Sequence, residues 1–194
     1  MILQALKDET RADHARIERH LDLTSHLGSP HTYARLLARF WGFYAPLEEY
    51  LASYSEWARY GILIGQRCRA HRAVADLQAL GWTPQTIAAL PRCQELPTLV
   101  GFAQAFGSLY VLEGSTLGGQ YIARQVEQAL GLSPQHGCSF FSGYGEQTGA
   151  MWRAFRAALD EAWRAELNAE AVVRGAHETF RAFDRWLASS EEGA

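Results

Sequence analysis

The residues with the clearest chemical potential are one histidine and a group of glycines. His14 falls on the stripe Leu3, Leu6, Thr10, His14, Ile17 and Leu21, whose spacings of three and four describe an amphipathic helix over 3–22, with Asp22 on its outer face. An imidazole there can offer a nitrogen to a metal. Glu18, one turn further along the same face, is placed to accept the Nδ1 proton and leave Nε2 free. The same two residues also suit an ordinary i, i+4 surface pair, and a histidine on an apolar stripe is commonly a hydrogen-bonded core residue. Lys7, the only lysine of the chain, lies two turns before His14 on the same side, about 10 Å away at about 1.5 Å per residue.

The second group sits in residues 105 to 125, a helical pattern that carries Gly114, Gly118 and Gly119 in its middle. Each mid-helix glycine costs roughly 1 kcal/mol relative to alanine, so the helix gives up about 3 kcal/mol for some return. Gly114 and Gly118 are four apart and clear one face of side chains, and Gly119 is expected to widen the gap, so that a flat ligand can lie against bare backbone. A close helix crossing or a kink is the alternative use of the same glycines.

The elements that must position these residues are all helical. Ser29-Pro30 pairs an N-cap with proline at the first helical position and opens a helix to about Tyr54, with an aromatic inner stripe of Tyr33, Phe40, Trp41 and Tyr44 and a kink expected at Pro46. Residues 68–80 predict a shorter helix ended by Gly81, and Thr83-Pro84 starts a brief one. Leu99 to Leu130 forms the glycine-bearing helix, closed by Gly131. An aromatic loop over 139–145 precedes two further helices, one with Met151, Phe155, Leu159, Trp163 and Leu167 inward, the other over 169–188. No stretch alternates with period two for long enough to predict a strand. The fold class is therefore all-α, as one domain over 1–194.

Composition narrows the function classes. A chain of 194 residues with 48% hydrophobic and 12% aromatic residues can bury a large core. A net charge of −3 without a block of like charges disfavours nucleic acid and acidic membrane surfaces. Three scattered cysteines, Cys68, Cys93 and Cys138, suit a reducing cytoplasm. Acidic residues near the N-terminus argue against an export signal, and no apolar run approaches the roughly 20 residues of a membrane helix. His20 is off the inner face of its helix, and His71 and His177 stand in helices without evident partners. No di-iron motif, phosphate loop, dinucleotide fingerprint or Ser-His-Asp order is present.

Taken together, these pieces resemble the haem oxygenases across nearly the whole chain. Leu6-Lys7-Asp8-Glu9-Thr10 with His14 and Glu18 is similar to the family's proximal helix, Pro46-Leu47-Glu48-Glu49 to a second-helix element, and Gly114-Ser115-Thr116-Leu117-Gly118-Gly119-Gln120 to its distal helix. Phe140-Phe141 follows in the expected order. The resemblance implies a helical bundle that holds haem, as substrate and cofactor, between the helix of His14, the iron ligand, and the distal helix of Gly114, Ser115, Gly118 and Gly119. It implies oxidative cleavage to biliverdin, carbon monoxide and ferrous iron, using dioxygen and electrons from a separate reductase, ferredoxin or flavodoxin. Lys7, Tyr110, Arg153 and Arg156 are the implied propionate contacts, Glu18 supports His14, and Phe180 walls the pocket. Many members carry an aspartate where this chain has Ser115, so Ser115, backbone carbonyls or waters must hold the distal hydrogen bonds. Glu113 is expected to pair with an arginine. The wording from Tyr110 to Gly119 is similar to bacterial biliverdin producers, including those that accompany bacterial phytochromes, which makes such a phytochrome the expected acceptor. A non-catalytic haem-binding or haem-delivery protein on the same fold and a thiamin-salvage hydrolase with a nucleophilic cysteine are the alternative readings.

Overall fold

The structure is a computed structural model that describes residues 2–21 and 23–189; the expectation at Asp22 lies outside them. The N-terminal stripe forms two helices where one was expected, α1 (Ile2–Glu9) and α2 (Arg11–His20). The break falls at Thr10, whose hydroxyl donates to the Leu6 carbonyl at 2.7 Å, a back-bond that bends helices. After α3 (Leu23–His26), α4 (Pro30–Ala52) starts on a full capping box: Ser29 Oγ accepts from the Thr32 amide and Thr32 Oγ1 accepts from the Ser29 amide, both at 3.1 Å.

α4 continues through Pro46. Proline cannot donate to the carbonyl four residues back, that of Gly42. The Cys93 amide donates to it instead, at 2.8 Å. Gly42 leaves room for that approach, since a Cβ there would stand 2.6 Å from the Pro91 carbonyl oxygen. The orphan acceptor thus anchors the loop between α6 and α7.

Short 3-10 turns at Ser55–Tyr60 and Ile64–Arg67 lead to α5 (Ala70–Ala79) and α6 (Pro84–Ala88). α5 starts two residues later than its sequence pattern because Cys68 is extended. α7 (Phe102–Leu130) is the longest helix and ends on left-handed Gly131, at φ 67°. A 3-10 turn at Gly145–Gln147 precedes α8 (Thr148–Ala165), and α9 (Ala169–Ser189) closes the fold. No strand occurs among the described residues. Trp163, expected inward, is 37% exposed near the end of α8, whereas Phe155 and Leu159 are buried.

The core is aromatic. Phe40 and Tyr44 of α4 meet the inward-folded Phe140-Phe141 pair, with Phe40–Phe141 centroids 5.0 Å apart and Tyr44–Phe140 centroids 5.1 Å apart, and the ring of Phe183 of α9 lies tilted 4.7 Å from that of Phe43. α7 and α9 form the most extensive helix pair, and glycines on both helices set their separation. A Cβ on Gly107 would lie 1.8 Å from the Val172 carbonyl oxygen, and one on Gly175 would lie 2.0 Å from that of Gln104. Two backbones in van der Waals contact leave no space for a methyl group. Gly107→Ala and Gly175→Ala are therefore expected to destabilise the fold by about 1–3 kcal/mol or more, measured as a lower midpoint of chemical denaturation.

Candidate functional site

The four glycines inside α7 divide into two kinds. Gly107 faces α9, as above. Gly119, expected to extend the cleared face, packs against the loop instead: a Cβ there would lie 2.6 Å from the Phe141 carbonyl oxygen. On Gly114 and Gly118 a Cβ would meet nothing within 4 Å. These two stand on one face, one turn apart, and leave a strip of open backbone. Leu117 and Tyr121 beside it are 43% and 62% exposed. Close backbone packing explains Gly107 and Gly119, but not Gly114 and Gly118.

The residues on either side of Gly114 are held by two arginines of one tripeptide, Arg67-Cys68-Arg69. Arg67 donates to Glu113 Oε2 at 2.7 Å and to the Met151 carbonyl at 3.1 Å. Arg69 donates to Ser115 Oγ at 2.9 Å and to the Leu112 carbonyl at 2.8 Å. Tyr144 closes the first set, donating to Glu113 Oε1 at 2.6 Å. Tyr44 closes the second, its hydroxyl 2.9 Å from Ser115 Oγ, while Ser115 donates to the Leu112 carbonyl at 2.7 Å. The guanidinium of Arg69 lies 5.3 Å from the ring centres of both Tyr44 and Phe140. Glu48 of α4 fixes the tripeptide by accepting from the amides of Arg69 and Ala70, at 2.7 and 2.9 Å.

Arg67, Arg69, Glu48 and Glu113 are all buried, and their charges sum to zero. Burial pushes the carboxyls of Glu48 and Glu113 above their ordinary value; backbone amides and Arg69 pull Glu48 back, and Arg67, Tyr144 and Arg69 do so for Glu113. Glu113 is thus paired with an arginine, as expected. Neither that arginine nor Arg69 was legible beforehand, because residues 61–69 carry no periodicity, and Tyr44 is indistinguishable in sequence from any other aromatic of the α4 stripe.

On α2, His14 is solvent-accessible, its side chain 61% exposed, and meets the buried ring of Phe180 edge-on at 6.1 Å. Glu18 Oε1 is 3.6 Å from His14 Nδ1, too far for the expected hydrogen bond, and also exposed. What orients α2 is a ladder onto α9: His177 Nδ1 to Asp13 at 2.5 Å, Arg16 to Asp184 at 3.8 Å, and His20 Nδ1 to Asp184 at 2.7 Å. His20 and His177 therefore have partners that their own helices do not supply. Tyr110 is half-buried, its ring 6.0 Å from Trp152 and its hydroxyl beside Thr10; burial raises its pKa and Thr10 opposes that shift. Lys7, Arg153 and Arg156 are exposed on α1 and α8. Among the described residues no group of three or more His, Cys, Asp or Glu could hold a metal ion by itself. The donor set suits a metal that arrives in its own macrocycle: an accessible imidazole, an aromatic wall, surface cations and a strip of bare backbone.

A family model described as "Heme oxygenase" matches residues 1–189. A heme oxygenase of Xanthomonas campestris pv. campestris (strain 8004) is 31% identical over 163 residues, which cover 81% of this chain and 90% of that protein. The crystal structure of the NO- and CO-bound heme oxygenase from Neisseria meningitidis superposes with a TM-score of 0.83 at 20% identity, covering 100% of this chain and 94% of that one, and so shares its fold.

Because Arg67 and Glu113 are buried together, removing one partner leaves an uncompensated charge. Arg67→Met is expected to cost about 3–5 kcal/mol in denaturation. Arg67→Met combined with Glu113→Leu is expected to recover much of that loss, which a double-mutant cycle measures.

Proposed function

The chain belongs to the heme oxygenase family, and from that premise we propose how its own residues serve the reaction. The protein is an oxidoreductase that degrades haem, and biliverdin is the general product of the family. In our reading His14 is the iron ligand, presented by α2, and Phe180 walls the pocket beside it. The backbone at Gly114 and Gly118 would receive the macrocycle on α7, with Ser115 beside that contact. Gly119 contributes by seating α7 on Phe141 and makes no opening of its own. Lys7, Arg153, Arg156 and Tyr110 receive the propionates, and Glu18 assists His14 as a loose charge partner.

Bound in this way, haem supplies the redox iron and the ring that is opened, with dioxygen as co-substrate. The chain contributes orientation. Absent side chains at Gly114 and Gly118 would leave room for the macrocycle beside α7, and the Arg67 and Arg69 contacts stop that softened helix from yielding. Electrons come from a separate reductase, ferredoxin or flavodoxin. The reading extends to one domain over 1–194, a cytoplasmic setting and a bacterial phytochrome as biliverdin acceptor; among the described residues no helix is long and apolar enough to cross a membrane.

The carrying observation is the open strip: of the glycines in α7, only Gly114 and Gly118 border space that no part of the protein fills. The hydrolase alternative fares poorly, because burial pushes the thiols of Cys68 and Cys138 up to about 11 and raises Cys93 as well, the reverse of an activated nucleophile.

Gly118→Ala separates a ligand-facing role from a structural one. In haem-free protein the added methyl touches nothing, so stability is expected to rise by up to about 1 kcal/mol, whereas haemin affinity is expected to fall. A thermal melt and an absorption titration with haemin measure the two effects. His14→Ala is expected to lose the histidine-ligated spectrum of the haemin complex and to regain it when imidazole is added; an unchanged spectrum would remove His14 from the ligand role.

A further inference from the structure

The face of α7 that carries the open strip is not furnished as a water-facing helix is. At about 100° per residue, Leu117 and Tyr121 fall about 60° and 20° to one side of Gly114, and Gly118 falls about 40° to the other. The four share one face. Leu117 and Tyr121 are exposed, one turn apart, and neither belongs to the hydrophobic core, whereas Ile122, the next residue, packs against it. Tyr110, about 40° from Gly114 on the same flank as Leu117, is fixed against Trp152; among the described residues no ring stands against Tyr121.

Beyond Tyr121 the same helix turns Arg124, Glu127 and Gln128 to solvent, the side chains expected of a wet surface. A strip meant for water would carry the same. It carries instead two glycines, the weakest helix formers after proline, and two large apolar side chains, which is the composition of a surface that becomes covered. Leu63, Val100 and Trp163, the other large apolar side chains exposed among the described residues, lie on separate segments and need no such account.

We infer that Leu117 and Tyr121 form an apolar rail along one edge of the strip, which fixes the in-plane position of haem and so selects the meso bridge of the porphyrin that is opened. The inference rests on the haem-binding reading of the strip. Exposed cations such as Lys7, Arg153 and Arg156 attract the propionates but tolerate displacement, because each charge ends a stem of several rotatable bonds. An aromatic ring with two rotatable bonds yields far less, and a macrocycle turned in its own plane runs against it. The glycines thus set how near the ring comes to α7, and the rail sets how it is turned there. Leu117 and Tyr121 act by shape, as specificity-determining residues, and the Tyr121 hydroxyl has no part in it.

The in-plane position is read without turnover from the haem-methyl proton resonances of the ferric haemin complex with cyanide, which shift as the ring turns. Tyr121→Ala and Leu117→Ala are each expected to move these resonances and to weaken haemin binding roughly two- to tenfold. In turnover with ascorbate they are expected to raise a second biliverdin isomer to about a tenth of the product or more, read by chromatography. Both side chains are exposed in the haem-free protein, so its thermal midpoint is expected to be no lower than that of wild type. Tyr121→Phe keeps the ring and is expected to match wild type in every readout. Resonances and isomer composition left unaltered when Leu117→Ala and Tyr121→Ala are combined would overturn the inference. So would Tyr121→Phe behaving as Tyr121→Ala does, which marks a hydrogen bond and not a rail. Failure of the wild-type protein to bind haemin would instead contradict the haem-binding reading itself.

Discussion

The candidate site depends on a buried, neutral set of four charges, Arg67 and Arg69 against Glu48 and Glu113. α7 must leave its backbone bare at Gly114 and Gly118, and a helix without side chains on one face loses both packing and conformational restraint there. The two arginines restore the restraint by gripping Glu113 and Ser115 on either side of the first glycine. Each charge would be costly to bury alone. Together, with a further donor of each arginine on the Met151 and Leu112 carbonyls, they form a fixed polar bracket in an otherwise aromatic interior.

The same economy of backbone contact runs through the fold. Gly107 and Gly175 let α7 and α9 touch, and Gly119 lets α7 rest on the loop that carries Phe140 and Phe141. Pro46 frees the Gly42 carbonyl, which the Cys93 amide takes up. α9 is the common support: it carries α7 by the glycine crossing and α2 by the ladder of Asp13, Arg16 and His20 with His177 and Asp184. His14 and the open strip are therefore positioned by one helix, although they lie far apart in sequence.

Much of this was legible in the sequence because helices announce themselves locally. The periodic stripes, Ser29-Pro30 and Gly131 located the helices to within a few residues, and the four-residue spacing of Gly114 and Gly118 marked the open face. The uses of Gly107 and Gly119 were not legible, since a glycine in a helix looks the same whether it faces a ligand or a backbone, and only the long-range partner decides. Arg67 and Arg69 escaped for a related reason. They lie between short irregular turns, and a buried arginine differs from an exposed one only in what the fold places against it. The division at Thr10 turned on a single side-chain back-bond, too local for periodicity to reveal.

The central claim is that His14 and the open backbone of α7 together form a site at which haem is oxidised as well as held. It is tested most directly by supplying ascorbate in air, with catalase present, to the purified haemin complex and following the absorption spectrum. The account predicts that the haem band decays as a biliverdin band grows, with release of carbon monoxide. A complex that forms stoichiometrically and keeps its haem band after reduction would contradict it, and would mark the chain as a haem carrier on the same fold.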